Sequence, residues 1–293
     1  MRRKASASDL THSIPVSVFA NDRATWDDLA PFYDEIYGTT EDFDYWAKIV
    51  SEYGGQPEDY PRVLELGCGT ARVALALAEK GYHVDALDHS AEMLKVARRR
   101  IAGSTEIKGS VRLMSGDMRK LDLDGKYDVI ICPSNTLAGF VDRRERECIL
   151  AGVRGLLSDG GVFAADSLFK DARKFKPKGW DFWDYEAKQV FYPHLGNRSF
   201  WCEYTIVNRE FMLSQVSLTY TSLKGNQART TSITGYLKLF TRDGLRDELL
   251  RAGLSVVCWY GGYDLKPHNF RSHHLGFVAR KRLQTQPSLS SRR

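Results

Sequence analysis

Val63-Leu64-Glu65-Leu66-Gly67-Cys68-Gly69-Thr70-Ala71-Arg72 is the stretch on which the fold turns. Val63 to Leu66 reads as a short buried strand. An apolar run at Val73, Leu75, Ala76, Leu77 and Ala78 suits a helix. The turn between them is punctuated by Gly67 and Gly69. Lacking a Cβ, both glycines let the backbone turn sharply and leave bare peptide for a ligand to lie against. The unpaired amides that open the helix then face an anionic group, and Glu65 adds a carboxylate beside the turn. A dinucleotide fingerprint needs a third glycine at position 72. Arg72 stands there, a long charged side chain where close helix–strand packing is required.

Further marks follow in order. Gly81 to Asp88 reads as the second strand, with Asp88 placed 21 residues after Gly67 at its carboxyl end. A carboxylate there suits a ribose diol; Asp85, three residues earlier, is less well placed. His89 follows, and Ser90 caps a helix from Ala91 to Ile101. Val111 to Met114 is a third strand that leads into Ser115-Gly116-Asp117-Met118. Tyr127 to Cys132 is a fourth, running into Pro133-Ser134-Asn135-Thr136-Leu137.

Taken together, E-x-G-x-G-x-A at 65–71, the acid at 88, the G-D-M element and S-N-T-L after strand four resemble the class I S-adenosylmethionine (SAM)-dependent methyltransferases. Upstream, Tyr33-Asp34-Glu35-Ile36-Tyr37 resembles the Y-D-x-x-Y lid of small-molecule members, so the resemblance spans residues 33 to 167. It implies methyl transfer from SAM, leaving S-adenosylhomocysteine. The cofactor contacts it implies are Tyr33, Glu65, Gly67, Cys68, Gly69, Arg72, Asp88, His89, Gly116, Asp117, Met118, Pro133 and Asn135. Pro133 precedes Ser134-Asn135, unlike the N/D-P-P-Y/F of amino-methylating DNA enzymes, which counts against base flipping.

The alternation of strands and helices from 62 to 167 predicts an α/β fold with a doubly wound, mostly parallel, seven-stranded Rossmann-like sheet. A helix from Arg143 to Leu157 and a fifth strand from Val162 to Asp166 continue it. Leu254–Gly261 and Leu275–Arg280 read as the last two strands, after a helix from Arg242 to Ala252 capped by Thr241. Residues 1–20 and 283–293 are expected as disordered tails, 21–60 as a helical lid and 61–167 as the cofactor-binding core. Residues 168–240 are expected as an antiparallel β insertion covering the site, and 241–282 as the end of the sheet. Three strands are expected in the insertion, at Phe200–Val207, Phe211–Ser222 and Thr230–Leu239. The aromatic run Trp180 to Tyr185 lines an acceptor pocket or packs the insertion.

Composition narrows the partners. The chain of 293 residues is 43% hydrophobic, enough for a sizeable core, and carries a net charge of +5. The segments 1–23 and 280–293 account for +2 and +5 of that, which leaves the body near −2. A nucleic-acid binder carries its basic stripe on the folded surface, so no nucleic acid is expected. No apolar stretch reaches the ~20 residues of a membrane span. Five cysteines, Cys68, Cys132, Cys148, Cys202 and Cys258, are scattered without C-x-x-C spacing. That favours a reducing cytoplasm over disulfides or zinc. A homodimer is left open.

Methyl transfer is an in-line displacement in which alignment and desolvation carry much of the work. That accords with the lack of a Ser/His/Asp or Cys/His arrangement. An acceptor hydroxyl or ammonium still has to lose a proton, for which His194, His273, His274, Tyr33 and Tyr37 are candidates; Tyr33, Tyr37 and His194 are carried forward as the catalytic set, with no metal. The expectation is a methyltransferase for a small-molecule acceptor, an amino sugar or other secondary metabolite, at nitrogen or oxygen before carbon. The alternatives are a protein or RNA methyltransferase, a nicotinamide-dependent oxidoreductase and a non-catalytic SAM-sensing module.

Overall fold

The structure is a computed structural model that describes residues 23–34, 38, 40–167, 185–190, 198–208, 213–224, 227–269, 272 and 274–282. The expected tails, Tyr37, His194, His273 and the run Trp180 to Asp184 lie outside the described residues.

Two helices lead in, α1 (Arg23–Leu29) and α2 (Phe43–Gly54). The core then alternates β1 (Val63–Leu66), α3 (Arg72–Glu79), β2 (His83–Asp88), α4 (Ala91–Gly103) and β3 (Ser110–Ser115). It continues through β4 (Tyr127–Cys132), α5 (Arg143–Leu156) and β5 (Leu157–Ala165). Four strands follow: β6 (Tyr185–Val190), β7 (Arg198–Asn208), β8 (Leu213–Lys224) and β9 (Gln227–Lys238). The chain returns through α6 (Arg242–Arg251), β10 (Leu254–Tyr260) and β11 (Gly276–Lys281).

The main sheet has seven strands in the order β10-β11-β5-β4-β1-β2-β3. β1 to β5 pair in parallel, and β11 runs antiparallel to both β5 and β10. This is the doubly wound arrangement read from the sequence. Strand alternation sends Leu64, Leu66, Ile130 and Cys132 to one face, against Ile149, Leu150 and Val153 of α5 and Leu245 and Leu249 of α6. Val63, Val129 and Ile131 point to the other, against Trp46, Ile49 and Val50 of α2 and Leu94 and Ala97 of α4. Both faces of the sheet are therefore covered, as a parallel sheet requires. Helix starts are capped as expected: Ser90 Oγ accepts from the Met93 amide and Thr241 Oγ1 from the Gly244 amide.

Two expectations need correction. The inserted sheet has four strands, not three, in the order β6-β7-β8-β9. Tyr185, read as the end of an aromatic loop, opens the added strand and pairs with Thr205. The stretch Tyr185-Glu186-Ala187-Lys188-Gln189-Val190 is short and mostly polar, with Val190 its one β-branched residue, so little in it announces a strand. The fifth core strand also begins earlier, at Leu157, because Asp159-Gly160-Gly161 is carried inside the strand rather than stopping before it.

Candidate active site

The order of the sheet reverses beside β1, with β2 and β3 on one side and β4 and β5 on the other. Ligands of such sheets lie outside the carboxyl ends of the strands at this switch point. Five sequence-predicted stretches converge there.

The β1–α3 turn is held by the amides of Gly67 and Cys68, which both donate to the Leu87 carbonyl. Gly67, Gly69 and Ala71 all have positive φ, at 67°, 53° and 57°. The two glycines serve different ends. A Cβ on Gly67 would run into the Thr136 methyl, so this position admits the chain after β4 rather than a ligand. A Cβ on Gly69 would meet only Met93 Sδ at 3.9 Å and Tyr33 Cε1 at 4.0 Å, which leaves open space above its peptide. Cys68 is buried, and burial pushes its thiol up.

Asp88, at the end of β2, accepts from the Gly69 amide at 2.8 Å through Oδ2 and from the Ser90 amide at 2.8 Å through Oδ1. Burial raises its carboxyl more than those amides lower it. His89 Nδ1 lies 3.8 Å from Asp88 Oδ1, and its Nε2 is buried without a hydrogen-bond partner. Beyond β3, burial pushes the Asp117 carboxyl up, but Arg119 outweighs it and holds the group below its usual range. Met118 is buried beside Leu87 in the core.

Glu65 is 2% exposed, and its Oε2 has no hydrogen-bond partner. Burial pushes this carboxyl up to about 8, against the pull of Arg72 and the Ala74 amide. Arg72 is itself engaged. Its guanidinium meets Asp42, just ahead of α2, at 2.5 and 2.7 Å, and Ser134 Oγ at 3.2 Å. The charged side chain that looked misplaced at position 72 is thus the buried tie between α2, α3 and the loop after β4.

Tyr33 stands over the β1–α3 turn, where burial raises its hydroxyl to about 12 among Arg72, Asp88, Asp34 and Glu65. Its segment is latched to the core. Asp34 accepts from Thr70 Oγ1 at 2.7 Å and pairs with Arg100 of α4 at 2.5 Å. Asp27 accepts from Ser90 Oγ at 2.5 Å.

After β4, Ser134 and Asn135 both take left-handed backbone, at φ 59° and 61°. Asparagine visits this region readily, but serine holds it only where its surroundings impose it. Here the Asn135 amide donates to Asp166 Oδ1 at 3.3 Å and Ser167 Oγ donates to Asn135 Oδ1 at 2.7 Å. Asp166 also accepts from the Tyr263 hydroxyl at 2.8 Å, with His274 Nδ1 at 3.9 Å. Sequence reading passed over Asp166 and Tyr263. An acid at the carboxyl end of a parallel strand was a usable signal for Asp166; Tyr263, far along the chain, offered none.

Comparison with known proteins agrees with this geometry. Residues 63–161 match the model of a methyltransferase domain. Over that span the chain is similar to the class I SAM-dependent methyltransferases. The cypemycin N-terminal methyltransferase of a Streptomyces species is 28% identical over 254 residues, covering 83% of this methyltransferase and 95% of the relative. Several glycine/sarcosine N-methyltransferases are matched over about half of their length or less. Among solved structures, the CcbJ methyltransferase of Streptomyces caelestis has a TM-score of 0.75 at 24% identity, covering 89% of this chain and 99% of that one. SAM-bound CalS10, an amino pentose methyltransferase of Micromonospora echinaspora, has a TM-score of 0.62 at 21% identity, covering 84% and 95%. SAM is the cofactor of the family, and the nicotinamide alternative falls. Among the described residues no helix is long and apolar enough to cross a membrane.

Proposed function

We propose that this methyltransferase moves the SAM methyl group to the nitrogen of a small amine-bearing acceptor, an amino sugar or a comparable secondary metabolite. The observation that carries the reading is Asp166. Its buried carboxylate stands at the end of β5, beside the loop that closes the β4 side of the crevice. No lysine or arginine lies within 4 Å of it among the described residues. Burial raises this carboxyl, and a protonated amine is the acceptor that favours its charged form. The names of the cypemycin and amino pentose relatives point to amines as well.

The residues present fit SAM. The space over Gly69 admits a ligand against bare peptide, and the unpartnered Glu65 Oε2 awaits a donor that the ammonium of the methionine end supplies. Arg72, steadied by Asp42, faces the carboxylate of the same end. Asp88 takes the ribose diol, with His89 beside it. Gly116, Asp117 and Met118 hold the adenine, and Pro133 and Asn135 floor the reacting end. Tyr33 closes over the turn with Cys68 behind it. With its hydroxyl near 12, Tyr33 keeps its proton at neutral pH and donates a hydrogen bond instead of acting as a base. When bound, SAM supplies a methyl group activated by the sulfonium for in-line displacement. The protein aligns the two partners and excludes water.

Incubation with methyl-labelled SAM and matched amine and hydroxyl acceptors tests this, with an aminodeoxyhexose set against its parent hexose and an alanyl peptide against its N-acetylated form. Label on nitrogen supports the reading. Label on the hydroxyl partner alone, or on RNA or protein alone, overturns it.

A further inference from the structure

Asp166, Tyr263 and His274 come from three separate stretches, yet their side chains converge. The His274 ring lies 4.5 Å from the Tyr263 ring, centroid to centroid, and the Tyr263 hydroxyl donates to Asp166 Oδ2 at 2.8 Å. His274 Nδ1 faces that same oxygen at 3.9 Å and is covered, with no hydrogen-bond partner. About a quarter of the side chain nevertheless stays exposed, at 26%. The carboxylate on which Nδ1 bears also holds the Asn135 amide, so the group is tied to the loop that follows β4. Tyr45 of α2, Asp42, Arg72 and Cys132 at the end of β4 are the other ionisable groups around the cluster, and Arg72 is engaged with Asp42.

A carboxylate against Nδ1 favours the tautomer with hydrogen on that nitrogen, which leaves the lone pair on Nε2. Such contacts are often long in a ligand-free protein and tighten when substrate arrives. We propose that His274 takes the proton that the acceptor ammonium must lose, with Asp166 and Tyr263 as positioning residues. The proposal rests on the amine reading above. The acceptor R–NH3+ gives one proton to Nε2 and becomes R–NH2. The amine lone pair then forms the new C–N bond as the C–S bond of the sulfonium breaks, its electron pair staying on sulfur. The imidazolium returns its proton to water, so charge and atoms balance without a further reactant.

Two measurements on the full chain test this. In protein labelled with 15N histidine, the ring signals of neutral His274 should report the Nδ1–H form, and Asp166→Asn should shift it toward Nε2–H. That readout needs no acceptor and no turnover. An Nε2–H form in the wild type, or a ring unmoved by Asp166→Asn, overturns the proposal. In the amine assay, His274→Gln should lower kcat/KM about 100-fold or more near neutral pH, with much of the loss recovered at alkaline pH where the amine is already free. Methylation of the amine at an unchanged rate overturns the base while leaving the amine reading intact. The same loss on a hydroxyl acceptor alone overturns the amine reading and, with it, the step written here.

Discussion

Replacing Glu65 by glutamine should remove a pH dependence written into the core. In the unfolded chain this carboxyl has its ordinary value of 4.5, whereas in the folded protein burial holds it at about 8. Between those limits the folded state binds a proton that the unfolded state has released. Stability must therefore fall as pH rises through the window and level off above about 8. The interval from 4.5 to about 8, at ~1.4 kcal/mol per pH unit, comes to about 5 kcal/mol at full ionisation. Between pH 5.5 and 8.5 the share of this one group is about 3 kcal/mol. With Glu65→Gln no proton is exchanged at the site. The stability difference between variant and wild type should thus move by about 3 kcal/mol in the variant's favour over that range. Urea unfolding of the ligand-free protein at both pH values measures it. A difference that does not move with pH would refute the reasoning. SAM should act in the opposite sense on the wild type: an ammonium beside Glu65 favours the ionised carboxyl, so its affinity should climb toward pH 8.

Asp88→Ala should weaken SAM binding by about 1–3 kcal/mol through lost hydrogen bonds to the ribose; unchanged affinity by calorimetry would remove Asp88 from the site. Gly69→Ala should cost about 1–2 kcal/mol of backbone strain at its positive φ yet fold, and lose at least tenfold in SAM affinity. Gly67→Val should instead lower the melting temperature sharply, because its side chain meets Thr136 and not a ligand. Circular-dichroism melts beside calorimetry separate the two glycines. Asp42→Ala leaves Arg72 without its buried carboxylate partner and should destabilise by about 3–5 kcal/mol in denaturant unfolding.

The sheet was legible because its signals are local. Val63 to Leu66, Tyr127 to Cys132 and the glycine turn each announce themselves within a few residues, and strand alternation dictates which face each side chain takes. Asp88 and Asn135 could be placed because a strand end followed by a turn fixes where a residue lies. What stayed hidden depends on distance along the chain. Nothing near Arg72 says that Asp42 neutralises it, and nothing near Tyr263 says that it bonds to a residue 97 positions away. Gly67 was assigned to ligand clearance, because a sequence cannot show that Thr136 fills the space instead. The fourth inserted strand escaped because Tyr185 to Val190 has neither alternation nor β-branched enrichment.

The two sheets divide the chain in a way that bears on its descent. β6 to β9 pair only with one another, and the match to the methyltransferase domain ends at residue 161, before they begin. Their loss, lengthening or exchange would leave every paired strand of the seven-stranded sheet with its neighbour. Lineages can therefore rewrite most of the inserted segment without unpairing the main sheet, with Leu237 of β9 as its tie to the core, while substitutions around Asp42, Arg72 and Asp88 disturb contacts that bind several elements at once. Diversity among relatives should accumulate in the four inserted strands and be scarce along the crevice.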